Sequence, residues 1–554
     1  KDALYANTTA SNNTAVGYSA LTANTTGALN VAVGAVSLDA NTTGGSIVAV
    51  GYGALSENTT ASNNTAVGYV ALLANTTGAS NTAVGALALD ANTTGLENVA
   101  MGHHAMSVNT TGKQNVAIGQ ASLDANTTAD NNTAVGHDSL TNNTTGASNT
   151  GLGQASLQSN TTASNNTAVG YAALTANTTG TNNAALGANA LDANTTGGDN
   201  TGLGRSALGQ NTTASYGTAV GYEALAANTT GASNTAVGRT ALTANTTAAN
   251  NTAVGYASLN ANTTGTQNSS VGSQSLLANT TGDYNSALGQ NALVSNTTGN
   301  QNTAVGAYAL TTNISSHTST AVGYQAGQNS TATATTAVGY RAGSSISSGS
   351  NNAAFGAGVM SGSAVTGDYN TGVGNDALQV NTSGTWNFAG GKNALFVNTT
   401  GSYNTAVGGQ ALDANTTANN NTAVGYASLS GNTTGTGNVA VGYAASDANT
   451  TGSSITAVGF QALSSSITDV DTVAMGTNAG VNATTSYSVI VGSQANGSGA
   501  MTGDSNSYLG YASGYANTSG SNNTGIGRSA LGANTTASNN VALGQVALTA
   551  NTTG

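Results

Sequence analysis

Residues Tyr18 to Gly34 read Y-S-A-L-T-A-N-T-T-G-A-L-N-V-A-V-G, and the next seventeen residues, Ala35 to Gly51, fill the same places in the same order. The closing glycine recurs at Gly17, Gly34, Gly51, Gly68 and Gly85, keeps that step as far as Gly323, and continues with small slips to Gly544. Self-similarity at one fixed period marks a stack of like units rather than a globule built around a pocket. With this glycine as place seventeen, the consensus is Y-x-A-L-x-A-N-T-T-G-x-x-N-T-A-V-G, repeated about thirty-two times in 554 residues.

Two apolar patches, A-L and T-A-V, alternate with turn formers, N-T-T-G and the N-x pair before Thr. Each patch is too short for a helix, which needs roughly ten residues or more. Short patches bounded by Gly and Asn read as brief strands with turns between them. The pattern therefore predicts an all-β chain: a parallel β-solenoid, one repeat per coil, two short strands in each. Coils pairing in parallel about 4.8 Å apart would make residues 1–554 one continuous array, a rod on the order of 150 Å long.

Within a coil, each place has its own chemistry. Place sixteen is a medium or large apolar residue (Val16, Val33, Val50, Met101, Ile118, Leu152, Phe355, Ile526), with Gly390 a rare gap. Place fifteen is almost always Ala or Gly, as at Ala15, Ala32, Gly151 and Gly202. Neighbours on a strand face opposite ways, so place sixteen is expected to pack apolar bulk, and place fifteen to form a small-residue face for close approach. Leu21, Leu38 and Leu55 continue a leucine file at place four. Gly17, Gly34, Gly51 and Gly68 supply positive φ or room for a turn. Asn24, Asn41 and Asn58, at place seven, are expected to stack as a ladder of corner amides. Large apolar residues are few, so hydrogen bonds between coils and alanine packing must carry much of the stability. A lone thin stack is then marginal, and copies packing side by side through the small-residue face are favoured.

Only 5% of residues are charged, the net charge is −12, and Pro and Cys are absent. There is neither the basic stripe that phosphate neutralisation needs nor a cluster for anionic lipid, so nucleic acid and membrane surfaces are poor partners. No apolar run approaches the eighteen residues of a membrane span. Both ends fall inside a repeat, so the chain reads as a window on a longer array. His103, His104, His137 and His317 are too scattered for a metal or acid–base site; His103 and His104 are expected to face opposite ways on a strand. Acidic residues favour place five (Asp39, Asp90, Asp124, Asp192, Asp413, Asp447) and basic ones place one (Lys1, Arg205, Arg239, Lys392, Arg528), both expected at solvated corners. Catalysis needs unlike groups converging in a concavity, which a repeating surface does not offer. No enzyme, metal or cofactor is expected.

The step changes in two regions. It shortens to sixteen after Gly323 and Gly476 and lengthens to eighteen after Gly356 and Gly492, which places irregularities around residues 323–374 and 476–510. Near them place four loses its leucine, at Gly327, Gly343, Gly480 and Asn496, and place fifteen grows to Ile490 and Tyr508. A shortened turn or bulge that repacks locally accounts for both facts. Trp386 and Phe388 form the densest aromatic spot, read as a local core or a plug between chains. The N-T-T triplets at Asn7, Asn24, Asn41 and Asn58 match an N-glycosylation acceptor, though Asn and Thr also suit corners.

The units N-T-A-V-G-Y-x-A-L at Asn13–Leu21, Asn64–Leu72 and, with Ser258 in place of the Ala, Asn251–Leu259 resemble the head repeats of YadA-like trimeric autotransporter adhesins. They resemble still more the NTAVG-type arrays of phage tail fibres and of surface proteins of aquatic bacteria, although this repeat is longer than the usual adhesin head unit. The resemblance implies a parallel β-roll, three chains about one axis, and display of a binding tip. Together these readings give a structural protein, the shaft of an extracellular or virion-attached fibre. Two alternatives stand beside it: an ice- or surface-binding solenoid, and a carbohydrate-binding adhesin that meets cell-surface glycans. Against the first of these, Thr25 and Thr26 are adjacent and should point opposite ways, so the N-T-T corner offers no flat threonine double file.

Overall fold

The computed structural model describes residues 1–553, which fall into two compact units, the first Lys1–Thr281 and the second from Gly282 onward. Each contains sixteen three-residue strands, running from Thr14–Val16 to Ser269–Val271 in the first and from Ser286–Leu288 to Val541–Leu543 in the second. Successive strands pair in parallel at the repeat step, as in Thr14↔Val31 and Thr235↔Thr252 in the first unit and Thr303↔Thr320 in the second. The chain is a parallel β-solenoid with coils about seventeen residues apart, and no helix occurs among the described residues.

One strand forms per coil, not two. The T-A-V patch is extended, but the A-L patch lies in a turn in which places two and four are left-handed: Ser19 at φ 54° and Leu21 at φ 53°. A third left-handed residue sits at place twelve, such as Leu29 at φ 64°. Leucine in this region carries a steric cost of roughly 1–2 kcal/mol. The turn is nevertheless held because its backbone hydrogen-bonds from coil to coil as a strand would: Leu21 N donates to Ser37 O (2.9 Å), Ala23 N to Asp39 O (3.0 Å) and Val36 N to Tyr18 O (2.8 Å). Patterning reports burial, and a buried A-L pair between turn formers looks the same whether it lies in a strand or in a turn bonded coil to coil.

Burial also inverts the expected faces. Ala32 and its place-fifteen equivalents are buried, together with Leu21, Leu38 and Leu55 at place four. Place sixteen points outward: Val16 is 58% exposed and Leu152 44%, while Val33 and Val50 are half-buried. The small residues are small because they line a narrow coil interior, so they cannot form a contact face between chains. Place seventeen is pinned by sterics. Gly34 has φ 136°, and a Cβ there would run into the carbonyl oxygen of Gly51 in the next coil. The same holds at Gly17 and Gly51, and at Gly68 with φ 147°.

The strand ladder in the second unit passes through both irregularities without breaking. Thr320↔Thr336 pair across sixteen residues and Ala353↔Thr371 across eighteen. Val473↔Val489 and Val489↔Ser507 repeat that sequence of steps. The length change is absorbed in the turns, where the core is repacked. Tyr508 is fully buried, and its ring occupies the space into which a side chain at Gly514 would project. Ile346 and Ile490 fill space beside Gly343 and Gly480 in the same way.

Candidate interaction surfaces

The interior is closed by two files of asparagine, which fix the shape that the outer faces inherit. At place seven, Asn41 Nδ2 donates to Asn24 Oδ1 (2.9 Å) in the preceding coil and to Gly44 O (3.0 Å) in its own. Asn24 and Asn58 repeat the arrangement with Asn7 and Asn41. The second file, at place thirteen, is one that sequence reasoning misses. Asn30 Nδ2 donates to Gly44 O (2.9 Å), and Asn30 Oδ1 accepts from Ile47 N (3.0 Å) of the next coil. The recurring Asn before T-A-V is its signal, but turn propensity accounts for the residue equally well. These buried, hydrogen-bonded amides hold each coil in register with its neighbours.

This geometry bears directly on the N-T-T triplets. An N-linked sugar would attach at the Asn Nδ2, and in Asn24, Asn41 and Asn58 that atom is buried and already donates two hydrogen bonds. A glycan there is incompatible with the folded coil. Asn7, in the first coil, is half-buried and donates to Ala10 O (3.0 Å). The place-eight threonine is engaged too, Thr25 Oγ1 donating to Thr42 O (3.0 Å), whereas Thr26 at place nine is exposed.

Three outer features remain. The first is the strand face, where places fourteen and sixteen form a double file of Thr and Val, as in Thr218/Val220, Thr235/Val237 and Thr252/Val254. The second is place one, where aromatic rings and cations share one line. Tyr426 stacks on Tyr443 at 5.6 Å and Tyr443 on Phe460 at 5.3 Å, while Arg205 lies over Tyr222 at 5.4 Å and Arg239 over Tyr256 at 5.8 Å. These basic residues therefore pack on rings instead of standing free in solvent; such contacts contribute about 0.5–1 kcal/mol at exposed sites. The third is the aromatic spot at place twelve. Trp386 is 53% exposed and stacks on Tyr369 at 4.3 Å, so it is not part of a local core.

The titratable groups behave differently from open corner residues. Asp39, Asp90, Asp192, Asp413 and Asp447 are half-buried, and burial raises their carboxyls above the usual range, partly offset by nearby backbone amides. Asp469, at place ten, is 3% exposed and is pushed up to about 6, mainly by burial. His103 and His104 do not diverge on a strand; they follow it in the turn, with their rings edge to face at 4.2 Å. His137 lies 3.1 Å from Asp138. Among the described residues no cluster of three or more His, Cys, Asp or Glu could hold a metal ion, and no helix is long and apolar enough to cross a membrane. No protein-family model matches the chain, and neither does any curated protein sequence.

Proposed function

We propose that the protein is structural, the shaft of an extracellular or virion-attached fibre in which copies of the chain lie side by side. The observation that carries this reading is the division between inside and outside. The interior is filled by Leu, Ala and hydrogen-bonded Asn, while the outward strand face repeats a half-exposed apolar residue in nearly every coil. Soluble monomers rarely leave extended apolar surface uncovered, and a partner with the same repeat step is another copy. The resemblance to trimeric adhesin heads and tail-fibre arrays favours three chains. The test is the mass of the particle by sedimentation equilibrium, together with micrographs that count chains across each section. A multiple of the chain mass in particles of constant width is expected; a monomer at all concentrations overturns the reading.

A second reading has its own support. The outward Thr/Val file is a regular array of β-branched side chains about 4.8 Å apart between coils, with methyl groups able to order water against ice. The N-T-T corner lacks a threonine double file, but the T-A-V strand supplies a β-branched one elsewhere. Thermal hysteresis on freezing distinguishes the two, because a face covered by other copies is not free to meet ice.

A further inference from the structure

The place-one file is interrupted at Gly409, and the interruption has the features of a ligand site. Above it Tyr426 begins a three-ring stack with Tyr443 and Phe460. Below it stands Lys392, and between the two no side chain projects. A Cβ built on Gly409 would have the Tyr426 ring as its nearest neighbour, at 3.4 Å, so the ring lies against the position left vacant. The result is a hollow of about 230 Å³ lined by Lys392, Asn393, Gly409, Gln410 and Tyr426. Among the described residues Lys392 has no carboxylate partner, and the Asn393 and Gln410 carboxamides form no side-chain hydrogen bonds with the protein.

The geometry points to a saccharide-binding site in this hollow, for a pyranose bearing an acidic group. An exposed aromatic ring takes the apolar C–H face of a sugar, two carboxamides offer donors and acceptors to its ring hydroxyls, and an ammonium meets a carboxylate. A hollow of this size holds one sugar unit, in the space that a tyrosine fills in the consensus coil. Nucleic acid is disfavoured by the chain's net charge of −12 and by the single cation at the site. The site does not depend on the shaft reading, since a chain that never assembled would bind equally.

Saturation-transfer NMR on the full chain tests it, with methyl β-glucuronide and methyl β-glucoside as probes. Transfer to both is expected, stronger for the glucuronide. Gly409→Tyr restores the consensus residue, leaves the fold intact by circular dichroism, and should weaken both by about tenfold or more. Lys392→Met should remove the preference for the glucuronide and leave glucoside binding in place. Absence of transfer from the unmodified chain, or undiminished transfer in Gly409→Tyr, overturns the site. Equal transfer to both probes in the unmodified chain overturns the acidic specificity.

Discussion

At the scale of the residue, the solenoid depends on a few side chains that have no room to change. Asn228 Nδ2 donates to Asn211 Oδ1 (3.0 Å) and Gly231 O (3.0 Å) in a buried corner. Asn228→Asp keeps the shape but sets a carboxylate against two acceptors, and a buried unpaired charge costs about 3–5 kcal/mol. Hydrogen exchange should report that loss as faster exchange in the coils on either side of residue 228, with distant coils unchanged. Leu225→Ala should open the same coils at a cost of about 2–5 kcal/mol, because the surrounding backbone is bonded in place and cannot collapse into the void. Asp469 gives a pH dependence of definite sign. Its folded value of about 6 exceeds the ordinary 3.8, so the folded state holds the proton more tightly than the unfolded chain does. The associated stability is complete below 3.8 and is lost as pH rises through 6. Protection against exchange in residues 460–476, taken relative to the intrinsic amide rate at each pH, should therefore be lower at pH 7.5 than at pH 4.5, and Asp469→Ala should flatten the difference.

At the scale of the element, the coil is one strand and a set of turns that together hydrogen-bond like a sheet. The step, the parallel pairing and the buried leucine file are legible in the sequence because each leaves a periodic mark. The left-handed turn at Ser19 and Leu21 is not, since leucine has no preference for positive φ and is held there by bonds to the next coil. The sense of the T-A-V strand is also hidden. Alternation separates the two faces of a strand without saying which is inside, and the narrowness that keeps place fifteen to Ala or Gly in a regular coil shows only in three dimensions. The buried amide corner at place seven has a visible signal, whereas the hollow at Gly409 on the outer surface is marked only by what is missing. The irregular coils show compensation between places: Tyr508 is large where Gly514 is small. Gly514→Leu alone should collide with the ring, and Tyr508→Ala alone should leave a cavity costing about 3–5 kcal/mol. Made together they restore the usual Ala and Leu, and the double variant should be more stable than the sum of the two losses predicts. Additive losses in a denaturation cycle would show that the two sites are not coupled.

At the scale of the whole molecule, the question is what the outward strand face meets. Its Thr and Val side chains do not support the coil interior, which is closed by Ala, Leu and Asn, so the face can be altered without dismantling the fold. Val220, Val237 and Val254 are consecutive place-sixteen residues, all half-buried. Replacing all three with lysine places like charges on successive rungs of one face; any copy seated there would lose apolar contact and have to desolvate three ammonium groups. If copies pack through this face, the triple variant should sediment as a smaller species than the unmodified chain while its circular dichroism stays the same. High salt should restore association only in part, because screening weakens the repulsion without returning the buried apolar area. An assembly of unchanged mass would place the contact between copies on another face, and the place-one file of stacked rings would be the next surface to charge.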